Sequence, residues 1–358
     1  MSDLLPIFDG HNDTLLSLYL PARGGGRSFF ARSERGHLDL PRARAGGLAG
    51  GFFAINPPPD MRGEMQPISD LAISDGCYEM RLAGPVNPDF ALRFTLGALA
   101  TLYRLERASE GQVKLVRTAD ELDACLDAFP DGPLAVVLHF EGAEMIGPDL
   151  DALYTFHAAG LRSLGPVWSR PNIFGDGVPF AWPRSPDTGP GLTVIGKELV
   201  KISNSLGVLL DLAHLNERGF WDVARLSAAP LVVTHAGAHA RCPSTRNLTD
   251  RQLDAIGETN GVVGVIFDVS NIRSDGDDNA DTPLEDIVGH IAYIADRIGV
   301  AHVALGSDFD GATMPAALGD ASGLPKLIAA LRAHGFDDAA LRQIAYQNWA
   351  RVLRQTWK

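Results

Sequence analysis

Short apolar runs alternate along the chain with longer segments in which apolar residues recur every three or four positions. The runs are rich in Val, Ile, Leu and Phe and are nearly continuous, which is typical of parallel strands buried on both faces. The longer segments have the spacing of helices with one apolar face. The pattern predicts eight strands, at residues 5–11, 49–56, 134–141, 161–168, 207–214, 230–237, 261–269 and 302–309.

The intervening segments carry helix start and stop signals. Thr118 lies three residues before Glu121, which is a capping-box pattern. Gly207 follows an apolar-periodic segment, where a helix commonly ends. The clearest predicted helices cover residues 90–108, 118–129, 196–207 and 337–358.

Eight strand–helix units in 358 residues predict an α/β fold, specifically a (β/α)8 TIM-like barrel with insertions after strands 2 and 4. The insertions are residues 57–133 and 169–192, and the second is dense in Pro, Gly and aromatic residues, as in ordered loops over a site. A doubly wound open sheet is the alternative, but no Gly-rich phosphate loop follows the first strand. No internal repeat or boundary is evident, so residues 1–358 are predicted to form a single domain.

Net charge and cysteine content exclude several classes of binding partner and of site. The formal net charge of −13 argues against nucleic acid or an anionic membrane as a partner, because both recruit surfaces rich in Lys and Arg. Cys77, Cys125 and Cys242 form no CxxC pair, so neither a disulfide framework nor a thiolate zinc site is indicated. With no signal-like N-terminus and no apolar run of about 18 residues, we expect a cytoplasmic protein.

Polar side chains with metal-binding chemistry follow the apolar runs. In a parallel barrel the active site lies at the C-terminal ends of the strands. His11 and Asp13 are two residues apart on one strand, so they share a face. The candidate site residues at these strand ends are His11, Asp13, Glu141, His214, His235 and Asp308.

Taken singly, each candidate has a structural interpretation. A lone histidine at a strand end is often only a hydrogen-bonded structural residue, and Asp13 could cap the following helix. Asp9 could be a structural acceptor, Glu141 a solvated loop acid, and Asp308 and Asp310 ordinary turn formers. Three imidazoles and three carboxylates, all at predicted strand ends, favour a site.

Six such side chains exceed the three protein ligands that one catalytic zinc typically uses. They suit two divalent ions about 3.5–4 Å apart, with a shared carboxylate, a hydroxide between them, and one carboxylate left to transfer protons. A single-metal phosphoesterase would leave Glu141 or one histidine without a role. A catalytically silent binding or scaffold barrel would be expected to have lost ligands, and none is missing.

Six stretches of the chain match a known family. They are DGHND at 9–13, HFEG at 139–142, GLTVIGKELVKISNSLGVLLDLAH at 191–214, VVTHAGAHARCPSTRNLTD at 232–250, GSDFDGA at 306–312 and YQNWARVL at 346–353. Over essentially the whole chain, the sequence resembles the membrane dipeptidase (renal dipeptidase) family of amidohydrolase-type barrels, peptidase family M19. The resemblance implies a hydrolase with two divalent metal ions, with zinc as the expected ion, and a homodimer. Mn²⁺, Fe²⁺ or Co²⁺ would also suit His and carboxylate ligands.

The resemblance also implies roles for the metal-binding candidates. His11 and Asp13 match the pair that binds one metal, and Glu141 matches the carboxylate that bridges both. His214 and His235 match the ligands of the second metal.

Two further roles follow from the resemblance. Asp308, the first aspartate of the DFD motif rather than Asp310, matches the acid/base. Arg246 matches the arginine that binds the terminal carboxylate of the substrate, a role that suits the paired donors of a guanidinium. Without the resemblance, a surface salt bridge would be the simpler interpretation of Arg246.

One position departs from the family pattern. Trp168 stands where the family has a histidine that contacts the substrate carbonyl or the developing oxyanion. An indole donates a single hydrogen bond and is bulkier, so this contact must be lost or replaced. We therefore expect a dipeptidase acting on small dipeptides with a free carboxylate, with Trp168 shaping the pocket. The alternative is an amidohydrolase acting on N-acyl amino acids, lactams or lactones.

Overall fold

The strands have the positions that the apolar runs predict. The computed structural model describes residues 4–23, 25–59, 71–74, 76–80 and 82–358. The strands are β1 Ile7–Asn12, β2 Leu48–Ile55, β3 Leu71–Ser74, β4 Cys77–Met80, β5 Val113–Leu115, β6 Leu134–Glu141, β7 Leu161–Gly165, β8 Phe180–Trp182, β9 Leu209–Leu210, β10 Val232–Ala236, β11 Val262–Val265 and β12 Val303–Leu305. Each of the eight predicted strands overlaps one of these.

Helices separate the parallel strands. They are α1 Thr14–Tyr19, α2 Leu40–Gly46, α3 Pro88–Ala108, α4 Ala119–Asp127, α5 Asp151–Ala158, α6 Val194–Leu206, α7 Glu217–Leu226, α8 Asp250–Glu258, α9 Val269–Ile272, α10 Leu284–Ile298, α11 Leu324–His334, α12 Asp338–Arg342 and α13 Asn348–Thr356. A π-helical turn, Gln343–Gln347, joins the last two. None of the described helices combines the length and the apolar character needed to cross a membrane.

The helix signals have the expected structural effects. The Thr118 hydroxyl accepts a hydrogen bond from the backbone N–H of Glu121 at the start of α4. The Glu121 carboxylate accepts from the backbone N–H of Arg117, so the reciprocal half of the predicted capping box is made one residue earlier. Gly207 takes the left-handed conformation that ends α6, with φ of 71°.

Parallel pairing joins the strands into two sheets. One sheet has the order β1-β2-β6-β7-β9, with β5 beside the start of β6, and the other has the order β10-β11-β12. Two single-residue parallel bridges lie between the sheets, one joining Asp211 to Val232 and one joining Asn12 to Phe309. The predicted α/β class with parallel strands is confirmed.

A third, antiparallel sheet joins two long connections. β3 and β4 lie between β2 and β6, and β8 lies between β7 and β9. The order β3-β4-β8 brings these connections together, with Tyr78 opposite Trp182. Residues that are far apart in the chain therefore meet beside the strand ends.

Trp349 of α13 lies in the interior, against the strands. Its ring is fully buried, and its indole N–H donates to the carbonyl of Leu305 over 3.0 Å. Two strand glycines, Gly10 and Gly264, leave room for this ring. A Cβ at Gly264 would lie 2.0 Å from the carbonyl oxygen of Thr234 and 3.0 Å from the Trp349 ring.

We expect Gly264→Ala to destabilise the protein by about 1–3 kcal/mol or more, because the added methyl group meets backbone that cannot yield. Gly84→Ala is the matched control, since a Cβ there meets nothing within 4 Å. Urea unfolding of the two variants measures the difference. Equal midpoints for both variants would show that the interior has room to relax at Gly264.

Candidate metal centre and substrate cavity

His11 lies at the end of β1, with its imidazole among carboxylates. Its Nε2 atom is 3.6 Å from Glu141 Oε1, 3.8 Å from Asp13 Oδ1 and 4.0 Å from Asp308 Oδ1. His11 is fully buried, and Asp13 and Glu141 nearly so. The predicted convergence of β1 with two later strands is therefore present in the structure.

Asp13 occupies the N-cap position of α1, but its side chain makes no capping hydrogen bond. Its carboxylate instead accepts from Arg23 Nη1 over 3.2 Å, while its other oxygen faces His11. Asp9 is a structural acceptor, bonded by the backbone N–H and hydroxyl of Ser307 over 2.7 and 2.8 Å. The two aspartates thus differ in environment, and only Asp13 offers a free oxygen to the site.

Three imidazoles meet at one oxygen of Glu141. Its Oε1 atom is 2.9 Å from His214 Nε2 and 3.5 Å from His235 Nε2, in addition to the contact with His11. The two Nε2 atoms of His214 and His235 are 3.1 Å apart. Four of the predicted ligands therefore share one small buried volume, and Asp13 borders it.

The donor set fits divalent metal ions. One possible ligand atom each from His11, Glu141 and His235 lies within 4.8 Å of the other two. Both ring nitrogens of His11 and Asp13 Oδ1 are buried without a hydrogen-bond partner in the described part of the chain. Buried polar atoms are rarely left unpaired unless an ion or water satisfies them, and His with carboxylate is a ligand set typical of zinc.

Two of the imidazoles contact hydroxyl groups through their Nδ1 atoms. Ser169 Oγ is 2.7 Å from His214 Nδ1, and Thr234 Oγ1 is 2.9 Å from His235 Nδ1. The Thr234 hydroxyl donates in turn to Asp211 Oδ2 over 2.6 Å, so it accepts from the imidazole. Such partners fix ring orientation and leave Nε2 as the lone-pair atom toward the centre.

Electrostatics in the metal-free centre follow from burial and from the carboxylates. Burial lowers the pKa of His11, but Glu141, Asp13 and Asp308 outweigh it and raise that pKa to about 10. Burial, together with the positive charge of Arg246, lowers the pKa of His214 to about 4. One imidazole in the centre is therefore cationic at pH 7, and its neighbour is neutral.

The two aspartates of the DFD motif have separate environments. Burial raises the pKa of the Asp308 carboxyl well above its usual range, and this side chain lies on the wall of the adjacent cavity. Asp310 is instead occupied by hydrogen bonds from the Thr14 hydroxyl and Arg27 Nη2, over 2.8 and 3.2 Å. Asp308 is thus the aspartate available to a bound molecule.

Arg246 is buried rather than exposed. Only 4% of its surface is accessible, and its Nη2 donates to the carbonyl of His235 over 3.3 Å. Among the described residues, no carboxylate lies within salt-bridge distance of its guanidinium. The surface salt bridge considered from the sequence is therefore wrong, and a buried cation with spare donors lies next to the centre.

Trp168 lies half-buried against the centre. Its ring centroid is 5.7 Å from that of His214 and also 5.7 Å from that of Phe180. Phe180 lines a cavity of about 500 Å³ that Asp308 also lines. Trp168 therefore connects a metal-binding candidate to the wall of the cavity.

The wall of this cavity carries several acids. They are Asp268, Asp275, Asp277 and Asp278, beside Asp308. Asp275 is paired with Arg273, whereas its neighbours in the loop extend the negative charge along the wall. A cavity of this volume accommodates a small molecule, and its charge favours a cationic group.

Some residues of the site were not predicted from the sequence. Asn56 donates to Glu141 Oε2 over 2.9 Å, and Ser169, Thr234 and Asp211 support the imidazoles. Asn56 ends a predicted strand, so the strand-end criterion could have included it. The hydroxyl groups carry no comparable signal, because Ser and Thr are common at loops and strand ends.

Comparisons with known proteins identify the family of this chain. The family model for membrane dipeptidase (peptidase family M19) matches residues 1–358. A Klebsiella pneumoniae protein, described as an uncharacterized protein in the pqqA 5' region, is 48% identical over 260 residues, which are 73% of this chain and 95% of that protein.

Two solved structures are similar over nearly the whole chain. A metallopeptidase from Rhodobacter sphaeroides, liganded with a phosphinate mimic of the dipeptide L-Ala-D-Ala, is 49% identical with a TM-score of 0.92, covering 99% of this chain and 100% of its own. The dipeptidase AC, a metallopeptidase of family M19, is 48% identical with a TM-score of 0.92, covering 99% of each chain.

A parallel α/β fold with buried imidazoles and carboxylates at its strand ends is the architecture of a metal-dependent hydrolase, here a metallopeptidase. The chain belongs to the membrane dipeptidase family, peptidase family M19, and it is a metallo-dipeptidase. The resemblance stated from the sequence motifs is confirmed.

Metal binding by the metal-free protein should release a proton at pH 7. A pKa of about 10 keeps His11 protonated there, and a ligand imidazole must be neutral. The apparent affinity for Zn²⁺ should rise about tenfold per pH unit while this proton is displaced. Calorimetric titration in two buffers of different ionisation enthalpy measures the release.

The control for this titration is His302→Asn, a histidine whose Nδ1 lies 2.9 Å from the carbonyl of Gly261, outside the centre. This variant should release the proton as the unmodified protein does. Identical binding enthalpies in the two buffers would instead mean that His11 is already neutral before the metal binds.

Proposed function

We propose that this metallo-dipeptidase binds two divalent metal ions, with zinc as the first candidate, and cleaves dipeptides that have a free C-terminal carboxylate. The observation that carries the proposal is the buried meeting of three imidazoles at Glu141 Oε1. The unpartnered atoms of His11 and Asp13 support a second ion beside the first. His11 and Asp13 are the proposed ligands of one metal, Glu141 of both, and His214 and His235 of the other.

The chain's own residues would orient the substrate and move protons. When bound, the metal ions would supply Lewis-acid activation of a carbonyl and of a water molecule. Asp308 is the proposed acid/base, because its carboxyl lies on the cavity wall and burial raises its pKa, which makes the carboxylate a stronger proton acceptor. It would accept the proton of the nucleophile and return it to the leaving amine.

Arg246 is the proposed contact for the substrate carboxylate. It is buried beside the centre, and it uses one donor on the carbonyl of His235. A carboxylate bound there would satisfy two guanidinium donors at once and would hold the scissile bond at a fixed distance from Asp308. The free C-terminus of a dipeptide has the required charge and position.

The acidic wall of the cavity favours a dipeptide over an N-acyl amino acid. Asp268, Asp277 and Asp278 face a cavity in which the α-ammonium group of a dipeptide would be stabilised. An N-acyl amino acid, a lactam or a lactone offers no such cation. The dipeptide mimic bound by the related Rhodobacter sphaeroides enzyme supports the same choice.

The amidohydrolase alternative rests on Trp168. Its indole stands where the family pattern has a histidine, and it packs beside His214 rather than offering an imidazole to a substrate carbonyl. This change would matter most for the contact with the transition state. It keeps N-acyl amino acids, lactams and lactones as the second candidate substrates.

We further propose that the eight parallel strands close into a barrel, with long insertions after the second and fourth strands, and that residues 1–358 form one domain. The two bridges between the parallel sheets support closure. The homodimer and the cytoplasmic location stay predictions. Light scattering on the purified protein measures the first.

Asp308→Asn should lower kcat by about 10²–10⁴-fold with the metal content unchanged, because the variant cannot transfer the proton. Asp310→Asn is the comparison within the same motif. It should lower stability through the loss of contacts with Thr14 and Arg27, and it should keep most of the turnover. Elemental analysis and steady-state kinetics on both variants check this, and full turnover in Asp308→Asn would refute the assigned role.

A substrate panel tests the choice between the two functions. Dipeptides with a free amine should be cleaved at least about tenfold more efficiently than their N-acetyl forms, which lose the charge interaction with the acidic wall. Trp168→His is the variant to compare across this panel. If only acyl amino acids or lactones are hydrolysed, the amidohydrolase alternative is correct.

A further inference from the structure

Arg170 is a buried arginine near the metal centre whose role neither the motifs nor the family assignment describes. It lies in the loop after β7, directly after Trp168 and Ser169, and only 1% of its surface is exposed. Its Nε donates to Glu144 Oε1 over 2.6 Å. Its guanidinium carbon is 5.2 Å from the centroid of the Trp168 ring.

The other end of the guanidinium contacts residues that follow β2. Arg170 Nη2 donates to Asn56 Oδ1 over 2.9 Å and to the carbonyl of Pro57 over 2.7 Å. The amide of Asn56 donates from its Nδ2 to Glu141 Oε2 over 2.9 Å. A continuous chain of contacts therefore runs from Glu144 through Arg170 and Asn56 to Glu141.

The chemistry of the guanidinium fixes which group donates and which accepts in each of these hydrogen bonds. A guanidinium has only donors, so the amide oxygen of Asn56 must face Arg170. The amide NH2 group must then face Glu141, and it occupies Oε2. This leaves Oε1 as the oxygen directed at the three imidazoles.

We propose that Arg170 is a positioning residue of the metal centre: it holds the Asn56 amide, which donates to one carboxylate oxygen of Glu141, and so fixes the carboxylate with its other oxygen facing the imidazoles. The proposal rests on the proposed function, because it takes Glu141 to be a metal ligand. Glu144 balances the charge of Arg170 and lies in the loop that directly follows Glu141. Arg170 also contacts the Trp168 ring, which packs against Phe180 on the cavity wall. Arg170 therefore links the cavity wall to Glu141.

A purely structural role for Arg170 predicts a different result. Loss of one partner from a buried ion pair destabilises a protein wherever the pair lies. Arg42 gives a matched control, since it is 2% exposed and its Nε donates to Asp39 Oδ2 over 2.8 Å. A structural role would make Arg170→Met and Arg42→Met alike in every measurement.

The test compares metal affinity with stability. Both Arg170→Met and Arg42→Met should lower the unfolding temperature, but only Arg170→Met should weaken Zn²⁺ binding, by about ten- to a hundredfold. Competition with a chromogenic chelator measures affinity, and the visible absorption of the Co²⁺-loaded protein reports the ligand geometry. Asn56→Leu should reproduce the loss of affinity.

The double variant decides whether the two residues act through one contact. Arg170→Met with Asn56→Leu should bind Zn²⁺ no more weakly than the weaker single variant, because both changes remove the same donor to Glu141. Unchanged affinity in Arg170→Met, or losses that multiply in the double variant, would overturn the proposal.

Two further variants cover the case in which Arg170→Met does not fold and the case in which Glu141 is not a metal ligand. If Arg170→Met does not fold, Arg170→Met with Glu144→Leu removes both charges and goes through the same measurement, with the same expected loss of affinity. Glu141→Gln is the reference for the ligand itself. Normal metal binding by Glu141→Gln would overturn the ligand assignment together with this inference, whereas normal binding by the Arg170 variants alone overturns only the inference.

Discussion

The centre depends on one buried carboxylate oxygen. Glu141 Oε1 lies within 3.6 Å of three imidazole nitrogens that come from β1, from the segment after β9 and from β10. A carboxylate taken out of water is costly unless charge and hydrogen bonds compensate it. The nearby carboxylates raise the pKa of His11 and so favour its cationic form, which compensates the charge of Glu141, and a bound divalent ion would do the same. The relative positions of distant strands are therefore tied to the charge balance of a single group.

The candidate ligands differ in whether another side chain holds them by a hydrogen bond. Glu141, His214 and His235 each have a second contact, made by Asn56, Ser169 and Thr234 respectively. These contacts lock the rotamers and the ring orientation, which is the condition for a preorganised site. Among the residues that the structure describes, neither nitrogen of His11 has such a partner. We infer that part of the centre is fixed by the fold and that the rest is completed by what binds there.

The segment that carries Trp168 is also part of this support. Trp168 begins a three-residue stretch in which Ser169 contacts His214 and Arg170 reaches Glu141 through Asn56. A change in this loop can therefore alter the contacts of the Trp168 ring and of the candidate ligands together.

The sequence by itself determined the strands and the ligand candidates. Parallel strands buried on both faces require continuous apolar runs, and the two-residue period of a strand places His11 and Asp13 on one face. The tertiary structure decided the rest. In the folded chain Arg246 is buried, and the Asp13 carboxylate accepts a hydrogen bond from Arg23 instead of capping a helix. Arg170 donates to Asn56, which lies 114 positions earlier in the chain. Such contacts depend on how loops pack over the strand ends, and loop packing has no period along the sequence from which it could be read.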